Sequence, residues 1–297
     1  MSIRIAGVEL EHPLMNAAGT CKTLEDVEKF ARSAVSAIVV GSVTLEARLG
    51  NEGSVFWPGP MYSQNALGMP NRGHYYYWEV LPYMVDIAHA AGKALILSVA
   101  GFSPGEYGEL TRLAYRGGVD CIELNLGCPN IWNGGEQKKI ASFDPAGIRA
   151  IRANVQPWSH PVGVKLSPYS DPGMLDEVAD ALNHAPIRYV ATCNTFPNSL
   201  VLDENGKPVI DVGFAGLSGP VMKPIGLGQV KQLRERLPDS IQLVGVGGIT
   251  KGRDIWEYQQ VGASAVQVAT AYWNSNENPA VFGEILSEYL DLQTEEG

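Results

Sequence analysis

The sequence predicts a (β/α)8 barrel, and three observations carry that expectation. Eight short apolar runs alternate with eight amphipathic segments along almost the whole chain. The runs are apolar nearly throughout, as in parallel strands whose two faces are both buried. The length of 297 residues suits one α/β barrel domain with room for extended loops. Strands are expected at residues 13–17, 37–41, 94–100, 121–126, 162–166, 189–194, 242–246 and 265–269. Helices are expected at 23–33, 77–91, 104–116, 144–155, 171–183, 226–237, 252–260 and 279–292. A doubly wound open sheet is the alternative, disfavoured by eight repeated units and by the lack of an early G-x-G-x-x-G run.

In chain order, the second strand opens into a long connection, residues 42–76, rich in Gly, Pro, Asn and aromatics. The fourth strand, Cys121-Ile122-Glu123-Leu124, runs into Asn125-Leu126-Gly127-Cys128-Pro129-Asn130. A glycine- and lysine-bearing loop follows at 131–143 and is expected to be mobile. The next two helices begin with Asp144-Pro145 and Asp171-Pro172, an N-cap acid before a first-turn proline. After the sixth strand the connection 195–225 holds Asp203-Glu204-Asn205-Gly206-Lys207, a turn signal that predicts a small hairpin. Long loops at the C-terminal face are where a barrel places its chemistry. No linker or repeat divides the chain, so residues 1–297 are expected to form one domain.

Composition narrows the function. A hydrophobic fraction of 45% with 18% charged residues describes a packed enzyme rather than a disordered chain. A net charge of −10 argues against a general nucleic-acid or anionic-membrane surface. Cys21, Cys121, Cys128 and Cys193 show no CxxC and no metal-ligand spacing with the histidines, so no metal site is expected and the thiols are read as reduced. The first residues lack a secretory pattern, and no apolar stretch is long enough to cross a membrane. The expectation is a cytoplasmic protein.

Three constellations carry chemistry. Cys128 ends a strand in open backbone between Asn125 and Asn130, which suits a proton-transferring base over a polar planar substrate. A buried cysteine in a tight turn is the structural alternative. Glycine runs close the last two strands, Val244-Gly245-Val246-Gly247-Gly248-Ile249 and Gln267-Val268-Ala269-Thr270-Ala271, where backbone N–H groups can face an anion. The run from Gly213 to Gly219 completes that cup. Lys165 lies within the apolar fifth strand and calls for an anionic partner, which a phosphate-bearing cofactor with an electron-accepting ring would supply. Asn16, Asn65, Asn125, Asn130, Asn194 and Asn198 stand at strand ends and loops, and their amides match a ring of alternating N–H and C=O groups. His12, His74, His89, His160 and His184 show no pattern suited to a metal, and no GxSxG elbow or Walker motif is present.

Together these segments resemble the dihydroorotate dehydrogenases of the soluble class 1A type over nearly the whole chain. The resemblance rests on Asn16-Ala17-Ala18-Gly19, on Thr44-Leu45-Glu46 with Arg48, Gly50 and Asn51, and on Asn65-Ala66-Leu67-Gly68-Met69-Pro70-Asn71. It continues through Ser98-Val99-Ala100-Gly101-Phe102-Ser103, the Glu123-to-Asn130 run, Gly163-Val164-Lys165-Leu166 and Gly247-Gly248-Ile249. It implies an FMN-bearing barrel that oxidises dihydroorotate to orotate, a CH–CH oxidation in pyrimidine synthesis, with fumarate as acceptor. Ala18, Gly19, Ser42, Asn125, Lys165, Gly219, Gly247, Gly248, Ala269 and Thr270 would contact the flavin. Asn65, Gly68, Met69, Asn125, Asn130, Asn194 and Thr195 would hold the substrate. Cys128 would take the proton from C5 while hydride leaves C6. The same resemblance implies a homodimer, without the membrane-associating extension of class 2 or the iron–sulfur partner of class 1B.

The chain departs from the family pattern at Gly41-Ser42-Val43-Thr44-Leu45-Glu46, where glycine replaces the lysine expected beside the flavin and the substrate carboxylate. Losing that cation costs a few kcal/mol unless another group replaces it, and Arg72, Lys138 or Lys139 are candidates. Otherwise the glycine opens space for a bulkier or uncharged substrate, such as another cyclic amide or enone. The loop after Cys128, with Trp132, Gly134 and Gly135, also reads as slightly longer. A redox-silent phosphate-binding barrel is the third reading, and it leaves Cys128 without a role.

Overall fold

The structure, a computed structural model, describes residues 3–133, 136–155, 160–183 and 186–295. Gly134, Gly135 and His184 lie outside them. Eight parallel strands form the barrel wall: β1 (Leu14–Asn16), β2 (Ala37–Val43), β3 (Ala94–Val99), β4 (Cys121–Asn125), β5 (Val162–Leu166), β6 (Ile187–Thr192), β7 (Gln242–Val246) and β8 (Ala265–Val268). Their order in the sheet is β1-β8-β7-β6-β5-β4-β3-β2, each beside its neighbour in sequence. The fold is therefore the (β/α)8 barrel that the alternating pattern predicts.

The seam between β1 and β2 is closed largely by a side chain. Asn16 Oδ1 accepts from the Val39 N–H at 2.9 Å, and its Nδ2 donates to the Val39 carbonyl at 2.9 Å. Ser36 N–H adds a bond to the Leu14 carbonyl at 2.9 Å. An amide carries a donor and an acceptor, so it completes both halves of a missing ladder rung. Asn16 is thus a structural residue, not one of the substrate amides.

The helices are α1 (Leu24–Ala31), α2 (Gly73–Ala90), α3 (Pro104–Gly117), α4 (Pro145–Asn154), α5 (Pro172–Asn183), α6 (Lys223–Arg236), α7 (Gly252–Gln260) and α8 (Ala280–Glu295), with a short helix Thr270–Asn274 after β8. Thr23 and Asp26 form a capping box at the start of α1, and Asp144 caps α4 through the Gly147 N–H. Helix α2 begins four residues before its expected start. Asn71 Oδ1 accepts the Gly73 N–H at 2.9 Å, a local anchor that hydrophobic period does not reveal.

Two apolar layers result. One packs the helices on the outside of the strands. The other fills the barrel, where Ile5 and Leu10 of an N-terminal hairpin (Ile3–Ile5 with Val8–Leu10) meet Met15, Val39, Ile96, Tyr189 and Val244. Gly163 in β5 makes room for the Tyr189 ring, which a Cβ would approach to 2.1 Å. The interior is a packed core whose chemistry is confined to one rim.

Over that rim lies a second sheet of four antiparallel strands, in the order Phe196–Ser199, Ala215–Ser218, Ser63–Asn65 and Phe56–Trp57. It joins the long loops after β2 and β6. The expected turn at 203–207 is present, with the Asp203 N–H bonded to the Lys207 carbonyl at 2.8 Å. It carries a single bridge, Leu202 to Pro208, closed on its other side by the Val209 N–H bonded to the Val201 carbonyl at 3.0 Å. The loop after β4 holds a short antiparallel pair, Trp132–Asn133 with Glu136–Gln137. Gln137 ties it down by donating to the Pro129 carbonyl at 2.6 Å.

Candidate active site

The C-terminal ends of the strands enclose two adjoining cavities that share Ala18, Gly19, Asn65, Leu67, Lys165, Asn194 and Thr195. The larger, about 870 Å³ with its open mouth, is also lined by Gly219, Gly247, Gly248, Ala269 and Thr270. The smaller is lined by Ser42, Gly68, Met69, Asn125, Cys128 and Asn130 as well. The structure therefore brings every residue that the resemblance assigns to flavin, substrate or base to one rim. The glycine-rich strand ends face the large cavity, and the thiol and most of the amides face the small one.

The amides are tied to one another. Asn125 Nδ2 donates to Ser42 Oγ at 2.8 Å, and that hydroxyl shares a bond of 2.9 Å with Ser98 Oγ. Asn125 Oδ1 accepts from the Gly127 N–H and from Asn194 Nδ2, both at 3.2 Å. Asn130 Nδ2 donates to the Asn65 carbonyl at 2.7 Å and to Asn65 Oδ1 at 3.1 Å. Four loops are fixed relative to one another by these bonds, so a ligand meets a preformed wall. Gly68 and Met69 both adopt left-handed backbone, φ +74° and +57°. A Cβ on Gly68 would come within 2.7 Å of the Asn51 nitrogen, so the turn requires glycine there.

Cys128 is only partly covered, in contrast to the buried thiols of Cys21, Cys121 and Cys193. Burial pushes its thiol up from the ordinary cysteine value. A hydrogen bond from the Asn130 backbone and the positive charges of Lys138 and Arg48 oppose this and do not overcome it. The two cations are held close by. Arg48 Nε donates to the Gly68 carbonyl at 3.0 Å and Lys138 Nζ to the Gly101 carbonyl at 2.7 Å, and both lie against the Phe102 ring.

Lys165 is 5% exposed and lines both cavities. Its Nζ donates to Gln267 Oε1 at 3.0 Å, and Gln267 Nε2 donates to Glu123 Oε2 at 2.7 Å. Tyr189 O–H adds a bond to the same oxygen at 3.2 Å, and Glu123 Oε1 has no partner among the described residues. Burial lowers the Lys165 pKa and the Glu123 carboxylate counters it. Glu123 and Gln267 are therefore functional candidates that motif reading passes over. The available signal is polarity inside two apolar strands, Cys121-Ile122-Glu123-Leu124 and Ala265-Val266-Gln267-Val268.

Other expectations need correction. Arg72 lines neither cavity and lies over the Tyr76 ring, 4.8 Å from its centroid. Lys139 is exposed, Lys138 is engaged as above, and Asn198 is an exposed left-handed residue in the upper sheet. Gly41 opens no space. Its φ is +117°, and a Cβ would stand 2.3 Å from the Ser98 carbonyl oxygen, so backbone already fills the volume. The larger cavity also has two aromatic residues that the sequence reading lacks, Phe56 and Trp273, with ring centroids 4.9 Å apart.

Comparison with known proteins accords with this geometry. A family model described as dihydroorotate dehydrogenase matches residues 1–292. A Streptococcus uberis protein assigned as a dihydroorotate dehydrogenase A (fumarate) is 35% identical over 304 residues, covering 99% of this chain and 93% of that protein. A dihydroorotate dehydrogenase A (fumarate) of Lactococcus lactis subsp. cremoris is 32% identical over 303 residues, covering 100% of this chain and 95% of that one. Among solved structures, a crystal structure of DHODH from Eimeria tenella in complex with ferulenol superposes with a TM-score of 0.83 at 19% identity, over 100% of this chain and 85% of that one, a likeness of fold. With the family model spanning almost every residue and full-length relatives above 30% identity, the chain belongs to the dihydroorotate dehydrogenase family.

Proposed function

We propose that this protein oxidises dihydroorotate to orotate at a bound FMN, with Cys128 as the base and fumarate as electron acceptor, in pyrimidine synthesis. The observation that carries the reading is the juxtaposition of a partly covered thiol with an amide-lined cavity that opens into a glycine-walled one. The family is flavin-dependent, and the larger cavity fits such a group. Its wall combines glycine backbone with the apolar Leu67, Met222, Val246 and Ile249 and a few polar side chains, the mixed lining of a small-molecule site. Two of its lining residues hold buried polar atoms without partners among the described residues, Thr195 Oγ1 and Trp273 Nε1, which a polar ligand would satisfy. Ala18, Gly19, Lys165, Gly219, Gly247, Gly248, Ala269 and Thr270 would hold it there, with Ser42 and Asn125 at its border with the substrate.

When bound, FMN would accept the hydride that leaves C6 of dihydroorotate and later pass two electrons to fumarate. The residues of the chain do the rest. The Cys128 thiolate takes the proton from C5. Asn65, Asn125, Asn130 and Asn194, with Thr195 and the backbone of Gly68 and Met69, hold the imide ring over the thiol. Lys165 keeps a fixed cation between the two cavities, oriented by Gln267. Because Gly41 leaves no added space, the reading of a bulkier substrate loses its motive. The family match likewise leaves no support for a redox-silent barrel.

We also infer that residues 1–297 act as one barrel domain, in a cytoplasmic homodimer. Among the described residues no helix is long and apolar enough to cross a membrane. The test is direct: purified protein should release FMN on denaturation, and orotate should perturb its flavin spectrum. Colourless protein that releases no flavin would contradict the proposal.

A further inference from the structure

The substrate proposed above carries a carboxylate, and the four amides around its ring are neutral. A buried carboxylate needs a cation or several N–H donors. Two lysines line the cavity that contains Cys128, Lys165 and Lys22. Lys165 is engaged with Gln267. Lys22 is half-buried, and among the described residues no hydrogen bond or ion pair of its ammonium is found.

The chain holds Lys22 in place by its backbone. The Gly19 N–H donates to the Gly41 carbonyl at 2.6 Å, and the Gly41 N–H donates to the Cys21 carbonyl at 2.9 Å. Tyr77 O–H donates to the Lys22 carbonyl at 2.8 Å, and Asp26 Oδ2 accepts the Lys22 N–H at 2.8 Å. Lys22 therefore follows directly the residue that pairs with Gly41 across the β1–β2 seam, and it lines the same cavity as Ser42 and Met69. The acids whose charge reaches its ammonium are Asp26 and Glu277. Asp26 is committed to the start of α1, where it accepts from the Lys22 and Thr23 backbones, and Glu277 is exposed. Burial also lowers the Lys22 pKa, the mark of a charged group short of compensation.

Resting on the functional reading above, we infer that Lys22 is the specificity-determining cation of this site and binds the carboxylate of the substrate. The position at Gly41 cannot provide that charge, and the loop after β1 brings it in from the adjoining strand. Arg48 and Lys138 are not equivalent, since neither lines the cavity and each is bonded to a backbone carbonyl.

The test compares orotate with uracil, the same ring without the carboxylate, by titrating the flavin-loaded protein and following flavin absorbance. Lys22→Met should weaken orotate roughly ten- to a hundredfold, the worth of a charge-assisted hydrogen bond, and leave uracil binding unchanged. Lys22→Arg should retain most of the preference for orotate. In the unmutated holoprotein, orotate but not uracil should protect Lys22 from an amine-acylating reagent, a readout that does not depend on any variant folding. A Lys22→Met protein that keeps the wild-type orotate-to-uracil ratio, or equal protection by the two ligands, overturns the inference alone. An altered flavin spectrum with that ratio intact assigns Lys22 to the cofactor and also overturns it. Wild-type protein that binds orotate no better than uracil sinks the functional reading along with it.

Discussion

Burial and charge pull the Cys128 thiol in opposite directions, and burial prevails. As the proposed base, Cys128 would act only as thiolate, so a raised pKa leaves less of the active form at neutral pH. The rate of flavin reduction at saturating dihydroorotate should therefore climb about tenfold per pH unit through neutrality, and level off only above the ordinary thiol value of about 8.5. A rate flat between pH 6 and pH 8, in stopped-flow measurements on either side of neutrality, would contradict this assignment. Glu123 poses a different question at the same scale. It is fully buried and balances Lys165 through Gln267. Replacing it by Gln strands the lysine charge, so Glu123→Gln should cost the apoprotein about 3 kcal/mol in urea unfolding. An unchanged midpoint would mean that the buried lysine is neutral.

Among the elements, β1 is the weak seam of the barrel. Asn16→Ala removes both side-chain bonds to Val39 and leaves a buried N–H and C=O unpaired, which should destabilise the protein by about 2–5 kcal/mol. Denaturant unfolding of the two apoproteins measures it, and a loss well under 1 kcal/mol would show that water repairs the seam. The barrel strands were legible because both their faces are buried, which writes an apolar run into each. The four-stranded upper sheet was not. Its strands pair Ser63–Asn65 with Ala215–Ser218 across more than a hundred residues, and each is too short to show a period. Local turn chemistry at Asp203–Lys207 was read correctly, while the strands predicted to flank it were not formed.

For the molecule as a whole, the rim residues were legible where glycine, asparagine and cysteine cluster at strand ends. Those that act through long-range contacts were not. Gln267 shows its role only once β8 and β4 are placed across the barrel from each other, and Lys22 only once its loop is laced to Gly41. Gly41 is the instructive case: from the sequence it reads as a vacated cation site, yet the structure shows its side-chain volume filled by β3. A cofactor held at one end of a closed barrel binds the folded state alone. Added FMN at a hundred times its dissociation constant should therefore stabilise the protein by about 2.7 kcal/mol, seen as a rise in melting temperature. No shift with FMN would argue against the glycine-walled cavity as its site.

In the proposed reaction Cys128 deprotonates dihydroorotate while the electrons enter a bound flavin. Anaerobic mixing of the purified holoprotein with dihydroorotate, followed by flavin absorbance, tests it most directly. The flavin should bleach in the wild type, and in Cys128→Ala it should bleach about 10²–10⁴-fold more slowly while orotate still binds. No bleaching at any pH up to about 9, or equal rates in the two proteins, would contradict it.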